Sequence, residues 1–330
     1  MKGIHVTRYG GAEVLQYLDL PDPVPEAHQV LIRVKGASVN FADIKARSGK
    51  YHLGRQPPFI PGIDVAGIVI GVGNEVKKIN IGDRVIAFPA AGSYAEKTIA
   101  NENLTFIIPE SISFKYAAAC PVVAGTVTHM LSQIAHITES DNLLVHAAGG
   151  GVGSTAVKIA KAFGVQTVIG SIGSPWKETL VKEAGADAVI NYVTSDYAQE
   201  IGRLTDGKGV DVILNPIGGT TIEQDLHCLA PFGRLILFGK LSNEDTHIPV
   251  EELFTANKSV IGFSFGHCRK FKPELARNTM NKVIELLKSS RIEVTVAKCF
   301  PMQQASAAHD FIESRKAIGK VVLFTDEDIE

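Results

Sequence analysis

Short alternations of apolar and polar residues, broken by turn residues, run through the first part of the chain. MKGIHVTRY, GGAEVLQYLDLP, HQVLIRVKGASVN, IDVAGIVIGVG and GDRVIAFP each read as a strand, and VLIRVKGA alternates most clearly. Alternation with period two turns one face of a strand to a core and the other to solvent. With Glu26-x-x-Gln29 and Gly73-Asn74 at turns, residues 1–110 predict a compact, mostly antiparallel β-barrel. From Lys115 the pattern changes to an alanine-rich helical stretch, AAACPVVAGTVTHMLSQIA. The apolar runs LLVHAA, VQTVIGS, DAVINY, VDVILNPIGG and RLILFGK then follow with helices between them, one helix carrying LHCLAPFG, and KSVIGFSF closes the series. Apolar strands alternating with helices predict a parallel, doubly wound sheet. From about Phe271 a helix, LARNTMNKVIELLKSS, precedes two strands, IEVTVAKCFP and GKVVLFT, which are expected to return to the first domain.

The junction between the first parallel strand and its helix carries the most specific chemistry. In NLLVHAAGGGVGSTAVKIAKAFG, Ala148-x-Gly150-x-x-Gly153 is a dinucleotide fingerprint with alanine at the first glycine position. Glycines at 150 and 153 let backbone N–H groups approach a pyrophosphate and let the helix pack closely on the strand. Gly151 and Val152 lie in the helix N-terminus, whose partial positive charge faces the phosphates. A site that prefers NAD places Asp or Glu at the end of the next strand for the ribose 2′-OH. This chain has Ser171-Ile172-Gly173-Ser174-Pro175-Trp176-Lys177 there, with no carboxylate to repel a 2′-phosphate. Ser174 can donate to that phosphate and Lys177 supplies a positive charge, so the expected cofactor is NADPH. Tyr192, after DAVINY, can stack on the adenine or be an ordinary strand-end tyrosine.

Composition narrows the function classes. With 330 residues the chain has room for two cores, and its formal net charge of −2 without a Lys/Arg block argues against nucleic-acid or anionic-membrane partners. No apolar run reaches the roughly 18–20 residues of a membrane span. MKGIHVTRYGG lacks the apolar core of a signal peptide, so a cytoplasmic location is expected. Cys120, Cys228, Cys268 and Cys299 are far apart in sequence and form neither a zinc lobe nor a disulfide framework.

Several segments together resemble the medium-chain dehydrogenase/reductase superfamily, most of all its zinc-independent quinone oxidoreductases. ASVNFADIKARSGKY, PFIPGIDVAGIVIGVG, GDRVIAF, the glycine turn, GVDVILNPIGG, LAPFGRLILFGK and ESRKAIGKVVL carry the resemblance. It implies an α/β chain with a GroES-like β-barrel catalytic domain, 1–120 and 266–330, and a doubly wound parallel Rossmann domain, 121–265. Zinc-dependent relatives have a cysteine where Asn40 stands, a histidine at Ile63 and a last ligand near Val122. Isoleucine and valine cannot ligate zinc, so no metal site is expected.

The implied chemistry is hydride transfer from NADPH to a small-molecule acceptor, a quinone or an activated alkene. Asn40, Asp43, Tyr51 and Thr126 are the catalytic candidates. Asn40 either hydrogen-bonds a developing oxyanion or the nicotinamide ribose, or caps a turn; Asp43 is a site residue or a helix N-terminal acid. Tyr51 walls the pocket, donates a proton or packs in a lid, and Thr126 sits by the nicotinamide or bonds its own helix. Phe238, Gly239, Lys240 and Phe263 are expected toward the nicotinamide, and Arg315 reaches the adenosine phosphate or complements a helix dipole. Lys45 and Lys240 depart from the family, which has tyrosine and asparagine there. An enoyl-thioester reductase and a non-catalytic NADPH-binding protein remain as alternatives. The edge of KSVIGFSF implies a homodimer.

Overall fold

The computed structural model describes residues 1–51, 55–242 and 244–325. The chain divides into two compact units, Met1–Gly125 with Gly266–Glu330, and Thr126–Phe265.

The first unit begins with β1 (Lys2–Val6) and β2 (Leu15–Asp19), an antiparallel pair. β3 (Gln29–Val39), helix α1 (Phe41–Arg47), β4 (Val65–Val72), β5 (Arg84–Pro89) and β6 (Lys97–Ile107) follow. β3 pairs with both β4 and β6, and β5 joins β4 to β6, so four antiparallel strands close on themselves. Their alternating apolar residues, Val30, Ile32, Val34, Val65, Val69, Val85 and Ala87 among them, fill the core. β6 was not expected: its polar centre, Asn101-Glu102-Asn103, hides the alternation that its pairing with β3 reveals. The alanine-rich stretch forms two helices, α2 (Phe114–Ala119) and α3 (Pro121–His129), which meet at Cys120. Pro121 lacks an N–H and suits the first turn of the second helix.

The second unit carries β7 (Asn142–Val145), α4 (Gly151–Ala162), β8 (Thr167–Ile172), α5 (Glu178–Glu183), β9 (Ala188–Asn191), α6 (Tyr197–Leu204) and β10 (Val210–Asn215). α7 (Thr221–Cys228), β11 (Leu229–Leu237), α8 (Val250–Thr255) and β12 (Ser259–Gly262) complete it. All six strands are parallel, in the order β12-β11-β10-β7-β8-β9. The order reverses between β7 and β10, and ligands of doubly wound sheets bind beyond the carboxyl ends at such a reversal. Three boundaries differ from expectation. LAPFG leaves the helix and opens β11, with Phe232 at φ 63°; β11 stops at Leu237, before Phe238-Gly239-Lys240; and β12 stops at Gly262. Phe263 therefore lies beyond the strand, where its ring stacks on His129 at 4.9 Å, and Phe265 starts a helix.

That helix, α9 (Phe265–Phe271), is followed by α10 (Pro273–Lys288), β13 (Val296–Pro301), α11 (Ala305–Glu313) and β14 (Lys320–Phe324). β14 pairs antiparallel with β3 and parallel with β13, so the chain's last strands extend the first unit's sheet. Among the described residues no helix is long and apolar enough to cross a membrane.

Candidate functional site

In the second unit, β7 delivers the chain to the glycine turn at the sheet's reversal. Ala148 donates its N–H to the Ser171 carbonyl at 3.0 Å, which ties the turn to β8. Gly150 caps α4 with an extended backbone and no side-chain hydrogen bond. The first-turn N–H groups of a helix have no acceptor within it, so this end of α4 is a ready anion site. At Gly153 a Cβ would lie 2.3 Å from the Ala147 carbonyl oxygen and 2.7 Å from Ala148 Cα. Glycine is required there because the helix abuts the backbone of the turn. The geometry fits the pyrophosphate of a dinucleotide, which needs both close backbone approach and free N–H groups.

Lys177 lies across this turn. Its Cδ would be 2.7 Å from a Cβ on Gly149, and its ammonium sits 5.1 Å from the centre of the Trp176 ring. Ser174 precedes a single 3-10 turn, Pro175–Lys177. Tyr192, 47 % exposed, packs its ring against Gly173. Lys177 thus lies against Gly149 and Tyr192 against Gly173, with no carboxylate in the segment from Ser171 to Lys177. Phe238 donates its N–H to the Asn215 carbonyl at 3.1 Å, and Gly239 packs on Pro216, so both stand at the carboxyl end of the sheet; Lys240 is exposed there. Thr126 is 8 % exposed on α3, one turn before His129, which carries the Phe263 stack. That stack had no local signal in the sequence, because its two residues are far apart.

In the first unit, Asn40 and Asp43 form a capping box on α1, as their spacing of three residues allows. Asp43 Oδ2 accepts the Asn40 N–H at 2.8 Å. Asn40 Nδ2 donates to Asp64 Oδ1 at 3.3 Å, and Asn40 Oδ1 accepts from Lys320 Nζ at 2.6 Å. Ser38 Oγ lies 2.8 Å from Asp64, and Tyr94 Oη lies 3.4 Å from Asp43 Oδ2 and 3.2 Å from His309 Nε2. Arg47 Nε donates to His309 Nδ1 at 3.2 Å, and its far end pairs with Glu313. A guanidinium donor on Nδ1 leaves the imidazole neutral with its proton on Nε2. Burial and then the Arg47 charge accordingly push the His309 pKa down to about 3. Sequence reasoning missed Ser38, Tyr94, His309 and Lys320, whose partners come from across the fold.

Burial, then the Asp64 charge, raises the Asp43 carboxyl to about 7, opposed by its hydrogen bonds from Asn40. From its ordinary value of 3.8 up to about 7 the folded chain keeps a proton that the unfolded chain has released. Stability should therefore fall as the pH rises through that window. Asp43→Asn is expected to flatten the slope, checked by urea unfolding at about pH 5 and about pH 8. Parallel pH curves for both chains would refute this.

The remaining candidates are placed as follows. Tyr51 is half-buried, and burial raises its hydroxyl. Lys45 holds its ammonium 5.5 Å from the Phe41 ring centre, and burial lowers it. Arg315 is exposed beyond α11 with φ 60°. Cys120 is fully buried, and burial pushes its thiol up to about 12, which leaves it unreactive. Among the described residues no three of His, Cys, Asp and Glu gather to hold a metal.

Two family models match the chain: the alcohol dehydrogenase GroES-like domain over residues 26–113, and the zinc-binding dehydrogenase over 151–289. The chain is 32 % identical over 326 residues to a quinone oxidoreductase from Sus scrofa, covering 98 % of this chain and 97 % of the relative. It is 30 % identical over 342 residues to a synaptic vesicle membrane protein VAT-1 homolog from Danio rerio, covering 98 % of this chain and 70 % of the relative. The crystal structure of Escherichia coli quinone oxidoreductase complexed with NADPH is similar, with a TM-score of 0.90 and 32 % identity over 98 % of this chain and all of that one. A closed barrel sheet, a parallel sheet with a glycine turn at its reversal, and near full-length likeness agree: the chain belongs to the quinone oxidoreductase family of the medium-chain dehydrogenase/reductases.

Proposed function

We propose that this oxidoreductase uses NADPH to reduce a quinone or an activated alkene without a metal. One observation carries the choice of cofactor: Lys177 lies over Gly149 of the glycine turn, and no carboxylate stands at the ribose position. When bound, NADPH supplies the hydride. The chain's residues bind and orient it: Gly150, Gly151, Val152 and Gly153 cradle the pyrophosphate, and Ser174 and Lys177 take the 2′-phosphate. The NADPH complex of the E. coli relative supports the same cofactor.

The metal-free reading rests on donor chemistry. Ile63 and Val122 offer no ligand atom, and the Asn40 amide is engaged by Asp64 and Lys320. Without a Lewis acid, an alcohol loses its proton poorly, whereas an electron-poor acceptor needs no such help. Reduction is therefore favoured over alcohol oxidation. NADPH consumption with a benzoquinone, an alkenal and an enoyl thioester separates the acceptors, and no turnover with any of them would refute the reductase reading.

Lys177→Ala should weaken NADPH by about 1–2 kcal/mol and leave NADH nearly unchanged. Equal losses for the two coenzymes, measured by calorimetry, would remove the 2′-phosphate assignment. We also propose a homodimer through β12, which stands at an edge of the parallel sheet beside β11. An unpaired edge strand favours pairing with a second copy. A monomer in light scattering would count against it.

A further inference from the structure

Behind the glycine turn, one buried carboxylate gathers side chains from several elements of the second unit. Asp225, on α7, is fully buried. Its Oδ1 accepts from His146 Nε2 at 2.7 Å and from Tyr197 Oη at 3.1 Å, and its Oδ2 accepts from Asn215 Nδ2 at 2.6 Å. His146 Nδ1 lies 2.8 Å from Ser171 Oγ. His146 follows β7, Ser171 lies in β8 and Asn215 ends β10, so three neighbouring strands meet this carboxylate's network at their carboxyl edge.

Two of these residues are also bonded to loops at that edge, and the third to a neighbouring strand. Asn215 Oδ1 accepts the N–H groups of Ile217 and Gly218 at 2.6 and 3.0 Å, which shapes the loop after β10. The Ser171 carbonyl holds the Ala148 N–H of the glycine turn, and His146 donates its N–H to the Leu214 carbonyl at 3.1 Å. Serine, histidine and aspartate in a row suggest a nucleophile. Ser171, however, has no exposed surface, so no substrate can reach it. What the array can do is hold the loops after β7 and β10 in one register. A carboxylate accepts from all of its donors at once, whereas an amide must turn an NH2 toward one of them.

We propose that Asp225 is a positioning residue for the dinucleotide: it touches no part of it, yet fixes the loops after β7 and β10 that bind it. The inference rests on the assignment of NADPH to the glycine turn. Asp225→Asn should lose about tenfold or more in NADPH affinity, since a buried donor then faces another donor. Calorimetry at a temperature where circular dichroism shows the variant folded reads this directly. The double variant Asn215→Asp with Asp225→Asn exchanges acceptor and donor, and should recover most of the affinity. Unchanged affinity in Asp225→Asn overturns the inference alone, while absence of NADPH binding by the unaltered chain overturns the cofactor assignment with it. Should Asp225→Asn not fold, Tyr197→Phe and Asn215→Ser decide. Asn215→Ser breaks the loop tie and must lose affinity, whereas Tyr197→Phe spares it and must not; no difference between them overturns the inference.

Discussion

Gly153→Ala is expected to weaken NADPH binding about 100-fold or more and to lower stability by about 1–3 kcal/mol. The added methyl would lie 2.3 Å from the Ala147 carbonyl oxygen and 2.7 Å from Ala148 Cα, both backbone atoms that no rotamer change can move. α4 must then shift away from the turn by roughly 1 Å to restore ordinary contact distances. That displacement moves the first-turn N–H groups off the pyrophosphate, so several charge-assisted hydrogen bonds lengthen together. Gly150→Ala offers a graded comparison. Its Cβ would meet only the Ala147 carbonyl oxygen, at 3.3 Å, so a smaller loss is expected. Calorimetric titration with NADPH, beside thermal unfolding, measures both effects. Near-normal affinity in Gly153→Ala would show that the helix need not abut the turn.

The second large effect is expected at Lys320, in the barrel. Its side chain is almost fully buried, and Nζ donates to the Val39 carbonyl at 3.0 Å and to Asn40 Oδ1 at 2.6 Å. Burial lowers its pKa, and the nearby Asp64 and Asp43 oppose that shift. Asp64 is itself buried, at 0 % exposure, so the lysine is its compensating charge. Lys320→Met keeps most of the volume but leaves buried negative charge uncompensated, and should cost about 3–5 kcal/mol. Adding Asp64→Asn should recover part of the loss, because residues sharing one network are not additive. Urea unfolding at neutral pH is the measurement, and a loss below about 1 kcal/mol would remove Lys320 from this role.

Local patterning carried a large part of the fold. The alternation in VLIRVKGA placed β3, whose period of two holds from Val30 to Lys35, where one strand face is buried and the other is partly open. The apolar runs LLV, TVIGSI and VDVILN placed β7, β8 and β10, since strands covered on both faces need apolar residues throughout. Misjudged segments were those where tertiary pairing outweighs local preference. β6 is held by β3 and β5 despite Asn101-Glu102-Asn103, and Leu229 pairs with Val210 to open β11 although LAPFG continues a helical pattern. Phe263 looked like a strand residue because aromatic side chains favour strands, yet pairing with β11 ends at Gly262.

Chemistry divides along the same line. The glycine turn, the missing acid and Lys177 are close in sequence, so one short segment was enough to mark the dinucleotide turn and to motivate the proposed 2′-phosphate contact. The capping box of Asn40 and Asp43 was equally legible, because helix starts are built from neighbours. Neither the Lys320 ammonium on Asn40 nor the Asp225 carboxylate under the turn left any such signature. Lys320 lies 280 residues from Asn40, and Asp225 lies 79 residues from His146. Short-range spacing governs backbone geometry, and with it the strands, helix caps and phosphate cradle. Compensation of buried charge needs partners brought together by folding, so those networks came into view with the packed core.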